Sequence, residues 1–209
     1  MNKTNELHRS VESGDILSII WLLAKGADIN AKDTKGRTPF YQAVKEGKLD
    51  AMVVLQVKGA DVNIRDDFYG KTPLHEAVYW GHTNAVKFLL ANGAEVNAKD
   101  RVGQTPFHWA ATEGDVESMQ MLLANGADIN KRDIEGAMPL HRAASRGHTE
   151  ATKILIAQGA DVNEKNNVGK TPLHEALLND HTEAIQILIA NGGISGLVDG
   201  WMATIRSMA

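Results

Sequence analysis

A six-residue phrase recurs five times along this chain at an almost constant spacing. Its copies begin at Thr38, Thr72, Thr105, Met138 and Thr171, so successive copies are 34, 33, 33 and 33 residues apart. A fixed period of this length predicts a stack of small structural units, because no single unit buries its own apolar face and its neighbours complete the core. The function of such a chain is therefore expected on an extended surface.

Each repeat is predicted to contain two short helices followed by a projecting loop. Thr-Pro opens the first helix, because Thr caps free backbone N–H groups and Pro at the first helical position has no N–H to leave unpaired. Recurrent glycines end both helices, because the backbone there is left-handed and glycine, which has no Cβ, adopts that conformation without a steric clash. The loop within residues 63–72 is one residue longer than its counterparts, which brings Asp66, Asp67, Phe68 and Tyr69 to one hairpin tip.

The chain resembles ankyrin repeats in its 33-residue step, in the phrase Thr72-Pro73-Leu74-His75 and in the run Gly126-Ala127-Asp128-Ile129-Asn130. The resemblance covers roughly residues 5–192. It implies an all-α fold with β-hairpin loops, that is, an ankyrin-repeat solenoid of about six stacked helix-turn-helix repeats. We expect a single repeat domain over residues 1–198, with repeats at about 1–32 (the N-terminal cap), 33–66, 67–99, 100–132, 133–165 and 166–198. Residues 199–209 are expected to be a degenerate or truncated seventh repeat, or a C-terminal cap.

The composition argues against several classes of function. The chain has no cysteine, which rules out disulfides, thiolate catalysis and Cys-ligated metal sites. A formal net charge of -4 and the lack of a basic stripe argue against nucleic-acid binding. The longest apolar stretch, residues 16–24, is far shorter than the roughly 20 residues that span a bilayer. The expected location is cytoplasmic, or nuclear, or within a host cell if the source is a pathogen.

The histidines follow the repeat rather than forming a separate cluster. All eight fall in two recurrent positions, and one set comprises His8, His75, His108, His141 and His174. In the family that the chain resembles, this set helps fix the hairpin and the helix start by hydrogen bonding. The sequence also lacks a phosphate-binding loop, a dinucleotide-binding fingerprint and a nucleophile elbow. We therefore expect a protein that is not an enzyme, with no catalytic residues, no cofactor and no metal site.

Differences between the repeats are the most informative part of the sequence for function. The third, sixth and seventh positions after Pro share one face of the first helix, and in ankyrin stacks this face lines the concave groove. These positions hold Gln42, Lys45, Glu46; Glu76, Tyr79, Trp80; Trp109, Thr112, Glu113; Arg142, Ser145, Arg146; and Glu175, Leu178, Asn179. Trp21 and Phe88, on the second helices, are predicted to be core residues.

The resulting hypothesis is a non-enzymatic protein-protein interaction module, expected to be a monomer, that binds a protein partner through the concave helix face and the hairpin tips. Tyr, Trp and Arg dominate interface hot spots. The predicted contact residues are Phe68, Tyr69, Tyr79, Trp80, Arg101, Trp109, Glu113, Arg142 and Arg146. One alternative is a small-ligand or nucleotide receptor, in which Trp80 or Trp109 stacks on a ring and Arg142 or Arg146 binds an anion. Another is the targeting domain of a larger effector or enzyme.

Overall fold

The computed structural model describes residues 3–194, and twelve α-helices lie within that range. They are α1 (Lys3–Ser13), α2 (Ile16–Ala24), α3 (Pro39–Lys45), α4 (Leu49–Val57), α5 (Pro73–Tyr79), α6 (Thr83–Ala91), α7 (Pro106–Glu113), α8 (Val116–Ala124), α9 (Pro139–Ser145), α10 (Thr149–Ala157), α11 (Pro172–Leu178) and α12 (Thr182–Ala190). Within residues 3–194 there is no β-strand. Across the same residues, no helix has both the length and the apolar character needed to cross a membrane.

The described residues divide into two compact units. The N-terminal unit contains residues up to 106 together with 120–127, and the C-terminal unit contains residues 107–119 together with 128–194. In the N-terminal unit, α1 packs on α2 and α3, α3 packs on α4 and α5, α5 packs on α6, and α2 packs on α4. In the C-terminal unit, α9 packs on α10 and α11, while α12 packs on α10 and α11. The expected all-α architecture of about six helix-turn-helix repeats is confirmed, and the predicted tail at residues 199–209 lies outside the described residues.

The helix ends follow the local chemistry of the repeated phrase. The Thr38 hydroxyl accepts a hydrogen bond from the backbone N–H of Tyr41 at 3.3 Å, and the Thr171 hydroxyl accepts one from the N–H of His174 at 3.4 Å. Each bond satisfies an N–H group that the first helical turn leaves without an internal partner. The turn after α11 lacks the usual glycine, and Asp180 there adopts the left-handed conformation with φ of 56°.

Two recurrent positions, one on each helix of a repeat, contribute large side chains to the core. The residue that follows Pro is fully buried in each of these repeats: Phe40, Leu74, Phe107, Leu140 and Leu173. The matching position of the second helix is also buried and is always leucine: Leu22, Leu55, Leu89, Leu122, Leu155 and Leu188. The prediction that Trp21 belongs to this core is wrong, because 58% of its surface is exposed. Trp21 precedes Leu22 by one residue, and the rotation of about 100° per helical residue turns it towards solvent.

Candidate partner-binding surface

An Asp or Asn side chain organises each hairpin at its first position. These residues are Asp33, Asp66, Asp100, Asp133 and Asn166. In the shorter hairpins, one side-chain oxygen accepts hydrogen bonds from the backbone two and four residues later. Such local bonding lets a short side chain replace a ladder of backbone bonds, which explains why a rigid loop forms without a β-strand.

The inserted residue changes the second hairpin. Asp66 Oδ1 accepts hydrogen bonds from the N–H groups of Phe68 at 2.8 Å and Tyr69 at 2.5 Å. The closing backbone bond runs from the N–H of Asp66 to the carbonyl of Lys71 at 3.0 Å, five residues ahead rather than four as in the first hairpin. The tip therefore holds one more residue, and both aromatic side chains project into solvent.

Tyr41 connects this hairpin to α5 from a position where other repeats carry histidine. In the next repeat, His75 Nδ1 accepts a hydrogen bond from the N–H of Thr72 at 3.1 Å, and Nε2 donates to the carbonyl of Gln104 at 3.0 Å. The Tyr41 hydroxyl instead lies 3.1 Å from Asp66 Oδ2 and 3.2 Å from Glu76 Oε2.

All three groups are buried, and their chemistry keeps the phenol in its neutral form. Burial, followed by the negative charges of Glu76 and Asp66, raises the pKa of Tyr41 well above its ordinary value. Tyr41 therefore keeps its single hydroxyl proton, which it shares between two carboxylates that act only as acceptors when ionised. Sequence reasoning did not single out Tyr41, although the replacement of a recurrent histidine by tyrosine was a visible signal.

Four neighbouring aromatic side chains of the N-terminal unit form what we call the aromatic cluster: Phe68, Tyr69, Tyr79 and Trp80. Each is between 41% and 65% exposed. Trp80 Nε1 donates a hydrogen bond to Glu76 Oε1 at 3.2 Å, and the rings of Tyr79 and Trp80 meet edge to face with centroids 5.1 Å apart. Glu76 thus holds Trp80 with one carboxylate oxygen and Tyr41 with the other.

Two lysines lie against the aromatic cluster. Lys71 Nζ is 5.3 Å from the ring centroid of Tyr69 and 5.1 Å from that of Tyr79. Lys45 Nζ is 5.6 Å from the ring centroid of Trp80. At these distances a cation is attracted to the face of an aromatic ring. Three rings of the cluster are therefore restrained although they remain open to solvent: Trp80 by Glu76 and Lys45, and both tyrosines by Lys71.

A groove of about 330 Å³ lies beside the aromatic cluster in the N-terminal unit. Its walls combine the rings of Tyr41, Phe68 and Tyr69 with the buried carboxylates of Asp66 and Glu76. Four cationic side chains complete the lining: Lys35, Arg37, Lys45 and Lys71.

Three of the four cationic side chains in the groove are paired with carboxylates, and the third pair is Lys71 with Glu76 at 4.0 Å. Arg37 is paired with Asp33 at 2.6 Å and Lys45 with Glu46 at 2.8 Å. The exposed Lys35 ammonium has no carboxylate partner within residues 3–194. The exposed side chain of Arg101 is likewise without one in the part of the chain that the structure describes, and its backbone N–H donates to the carbonyl of Tyr69 at 2.8 Å.

The C-terminal unit carries the other predicted contact residues. Glu113 and Arg146 are exposed, whereas Trp109 is half-buried. Arg142, on α9, is engaged by the hairpin of its own repeat, since its guanidinium donates to Asp133 and to Glu135 Oε2, the latter at 2.7 Å. Burial alone would raise the pKa of Asp133, but the hydrogen bond and charge of Arg142 outweigh it and hold that pKa below its usual range.

Gln42 departs from its expected place on the open face of the first helix. It is buried, and its Nε2 donates to Glu46 Oε1 at 2.9 Å and to Glu12 Oε1 at 3.2 Å. An amide flanked by two carboxylates on neighbouring helices serves packing between α1 and α3 rather than contact with a partner.

Comparison with known proteins agrees with this architecture. The family model described as ankyrin repeats (3 copies) matches the chain over residues 7–100 and 107–196. No curated protein gives a significant match. Within residues 3–194, no three His, Asp or Glu side chains are grouped so that they could hold a metal ion. The matched ranges include the inserted hairpin, the hairpin before it and the hairpin that Arg142 stabilises, whereas residues 101–106 lie between the two ranges.

Proposed function

Since the chain belongs to the ankyrin-repeat family, we propose that it is a non-enzymatic module that binds a protein partner through the aromatic cluster of its N-terminal unit. Ankyrin repeats are generally protein-protein interaction modules. The observation that carries the proposal is the aromatic cluster itself, in which polar groups of the protein hold three of the four exposed rings, Tyr69, Tyr79 and Trp80.

Restraint of the rings favours binding, because the entropy of ordering them has already been lost on folding. Immobilising a side chain at an interface costs roughly 0.5–1.5 kcal/mol. Trp80 is fixed by its bond to Glu76 and by Lys45, so a partner that covers it pays little of this cost. Large aromatic side chains in such positions dominate interface energetics.

The charged groups around the aromatic cluster indicate which kind of partner surface would fit it. Lys35 and Arg101 offer positive groups beside exposed rings, so the complementary surface is apolar at its centre with carboxylates at its edge. Glu113, Arg146 and the half-buried Trp109 remain predicted contacts of the C-terminal unit. Arg142 is the weakest of the predicted contacts, because Asp133 and Glu135 already neutralise its charge.

A small-ligand receptor is less well supported by the groove. A specific pocket presents polar groups that lack partners until the ligand arrives. Here the carboxylates of Asp66 and Glu76 already accept hydrogen bonds from the Tyr41 hydroxyl, the Trp80 ring and nearby backbone N–H groups. Among the described residues, the buried side-chain atoms without a hydrogen bond belong to Gln42, Asp115, Ser118 and Thr152, and none of these residues lines the groove.

The test is capture of partners from a lysate of the source cells by the immobilised chain, read by quantitative mass spectrometry. The informative variant is Tyr69→Ala with Trp80→Ala. The matched control is Val168→Ala with Leu178→Ala, which removes two similarly exposed apolar side chains from the C-terminal unit. Thermal unfolding followed by circular dichroism establishes that all proteins share one fold.

A protein retained by wild type and control but lost from the Tyr69/Trp80 variant supports the proposal. Its purified form should then bind the variant at least about tenfold more weakly, since truncation of a hot spot costs about 2 kcal/mol or more. Equal affinity for wild type and variant would refute this placement of the site. Saturable quenching of tryptophan fluorescence by a small metabolite, with no protein retained, would favour the receptor alternative.

A further inference from the structure

The outer faces of α2 and α4 are apolar where the same positions of later repeats are polar. One recurrent position of the second helix is exposed in all six repeats and holds Ile20, Val53, Lys87, Gln120, Lys153 and Gln186. A second position, also exposed throughout, holds Leu17, Asp50, Asn84, Glu117, Glu150 and Glu183. Solvent exposure of these positions is thus a property of the fold, and only the first two repeats fill them largely with aliphatic side chains.

The apolar side chains of α2 and α4 form what we call the outer patch: Leu17, Ile20, Trp21, Leu49, Val53 and Val57. Each is between 37% and 80% exposed. Helices α2 and α4 pack against each other, so the two rows of side chains are adjacent within the N-terminal unit. Isolated exposed apolar residues need no explanation, but six of them on two packed helices indicate an interaction surface.

The charges at the two ends of the outer patch are opposite. The first turns carry Asp15 at the start of α2 and the exposed Asp50 in α4, and these two carboxylates outnumber Lys48 at the start of α4. Lys25 and Lys58 follow the last residues of α2 and α4. Neither Asp50 nor Lys58 has a side-chain partner in the described range. A surface that is acidic at one end and basic at the other complements a second copy of itself turned through a two-fold rotation.

The exposed area is sufficient for a weak dimer. An aromatic side chain presents on the order of 150–250 Å² when fully exposed and an aliphatic one less, so the outer patch offers at most on the order of 500 Å² per chain. Two such patches that cover each other completely bury on the order of 1,000 Å², which is the lower limit for a specific interface and the range of transient ones.

From these observations we infer that the chain self-associates into a two-fold dimer through the outer patch, with Asp50 of each copy facing the basic end of α4 in the other. This inference differs from the monomer expected from the sequence. It is independent of the proposed partner site, because it rests on α2 and α4 rather than on the aromatic cluster.

Sedimentation velocity of the full chain from about 1 μM to about 1 mM tests the inference across the affinity range of weak complexes. The disrupting variant is Ile20→Lys with Val53→Lys, which the fold should accept because Lys87 and Lys153 occupy the same position in α6 and α10. The control is Ile134→Lys with Val168→Lys, which adds the same charge at exposed apolar positions of the C-terminal unit.

The measured mass of wild type and of the control should rise with concentration from the chain mass of 22.7 kDa to a plateau at twice that value. The dissociation constant of the Ile20/Val53 variant dimer should be at least about tenfold higher than that of wild type. A wild-type chain that stays at the single mass over the whole range overturns the inference. It is also overturned if the Ile20/Val53 variant associates as strongly as the control, or if the mass grows past two chains without a plateau.

A charge swap tests the two-fold arrangement directly. Asp50→Lys should weaken the dimer, because it places like charges together at both symmetric contacts. Adding Lys58→Asp to the same chain restores the opposite charges in reversed order and should recover association. Failure of the double variant to recover any association, when Asp50→Lys alone weakens it, would overturn this geometry.

Discussion

His141 is expected to make the C-terminal unit lose stability as the pH falls. The ring is buried, its Nδ1 accepts a hydrogen bond from the N–H of Met138 at 3.3 Å, and its Nε2 donates to the carbonyl of Lys170 at 3.1 Å. These bonds require the neutral ring with its proton on Nε2. Protonation of Nδ1 would turn this acceptor into a donor that faces another N–H group.

The size of the effect follows from the pKa of His141. Burial lowers that pKa from 6.5 to about 4, and the charges of Arg132 and Arg142 act in the same direction. A folded-state pKa below the unfolded one means that the unfolded chain binds the proton first as the pH falls. The stabilisation is therefore complete above the unfolded value and is lost towards about pH 4, with a total of about 3 kcal/mol at about 1.4 kcal/mol per unit.

The assay is urea-induced unfolding of wild type and His141→Gln at several values from about pH 7 to about pH 4. Glutamine does not titrate, and its amide can still donate to the carbonyl of Lys170. Every other titrating group is common to both proteins, so the difference between their free energies of unfolding reports His141. That difference should change by about 3 kcal/mol in favour of the variant as the pH falls. Parallel curves would refute the reasoning.

Two further predictions concern the hairpins. Tyr41→Phe should lower the free energy of unfolding by about 1–3 kcal/mol, because it removes a hydrogen-bond donor from the buried Glu76 Oε2 and one of the two donors to Asp66 Oδ2, whereas the exposed control Tyr69→Phe should change it by less than about 0.5 kcal/mol. Because the folded-state pKa of Tyr41 is raised, wild type should also lose stability above about pH 10, and an alkaline loss that persists unchanged in Tyr41→Phe would contradict the assignment. Gly136 and Gly169 both have positive φ. A Cβ added at Gly136 would clash with the side chain of Asn167 and lie 2.9 Å from the backbone nitrogen of Asn167. A Cβ added at Gly169 would meet nothing within 4 Å. Chemical denaturation should therefore show Gly136→Ala to be more destabilising than Gly169→Ala by about 1–3 kcal/mol, and equal losses would mean that backbone strain alone decides both.

The parts of the fold that could be predicted are those determined within a single repeat. Thr-Pro marks the start of a helix through groups at most three residues apart, and Thr171 forms the expected bond to the N–H of His174. The extra residue in the second hairpin was visible as a break in spacing. Its effect on Phe68 and Tyr69 followed because Asp66 bonds to the nearby backbone.

The parts that could not be predicted depend on contacts between repeats. Glu76 looked like an exposed groove residue, but the Tyr41 hydroxyl reaches it from 35 residues away and both are buried. Gln42 likewise meets Glu12 from the preceding repeat. Arg142 was expected to face a partner, yet Asp133 and Glu135 engage it from the hairpin of its own repeat. Periodicity assigns a residue to a face but does not identify what the adjoining element or repeat places opposite it.

Departures from the repeat concentrate in the N-terminal unit, on two different sets of helices. The aromatic cluster belongs to α5 and the inserted hairpin, and the outer patch belongs to α2 and α4. If the two surfaces act separately, Tyr69→Ala with Trp80→Ala should leave self-association unchanged, and Ile20→Lys with Val53→Lys should leave partner capture unchanged. Loss of both activities in either variant, with the fold intact, would mean that partner binding requires the dimer. In that case two aromatic clusters would act together, and avidity rather than a single site would set the affinity.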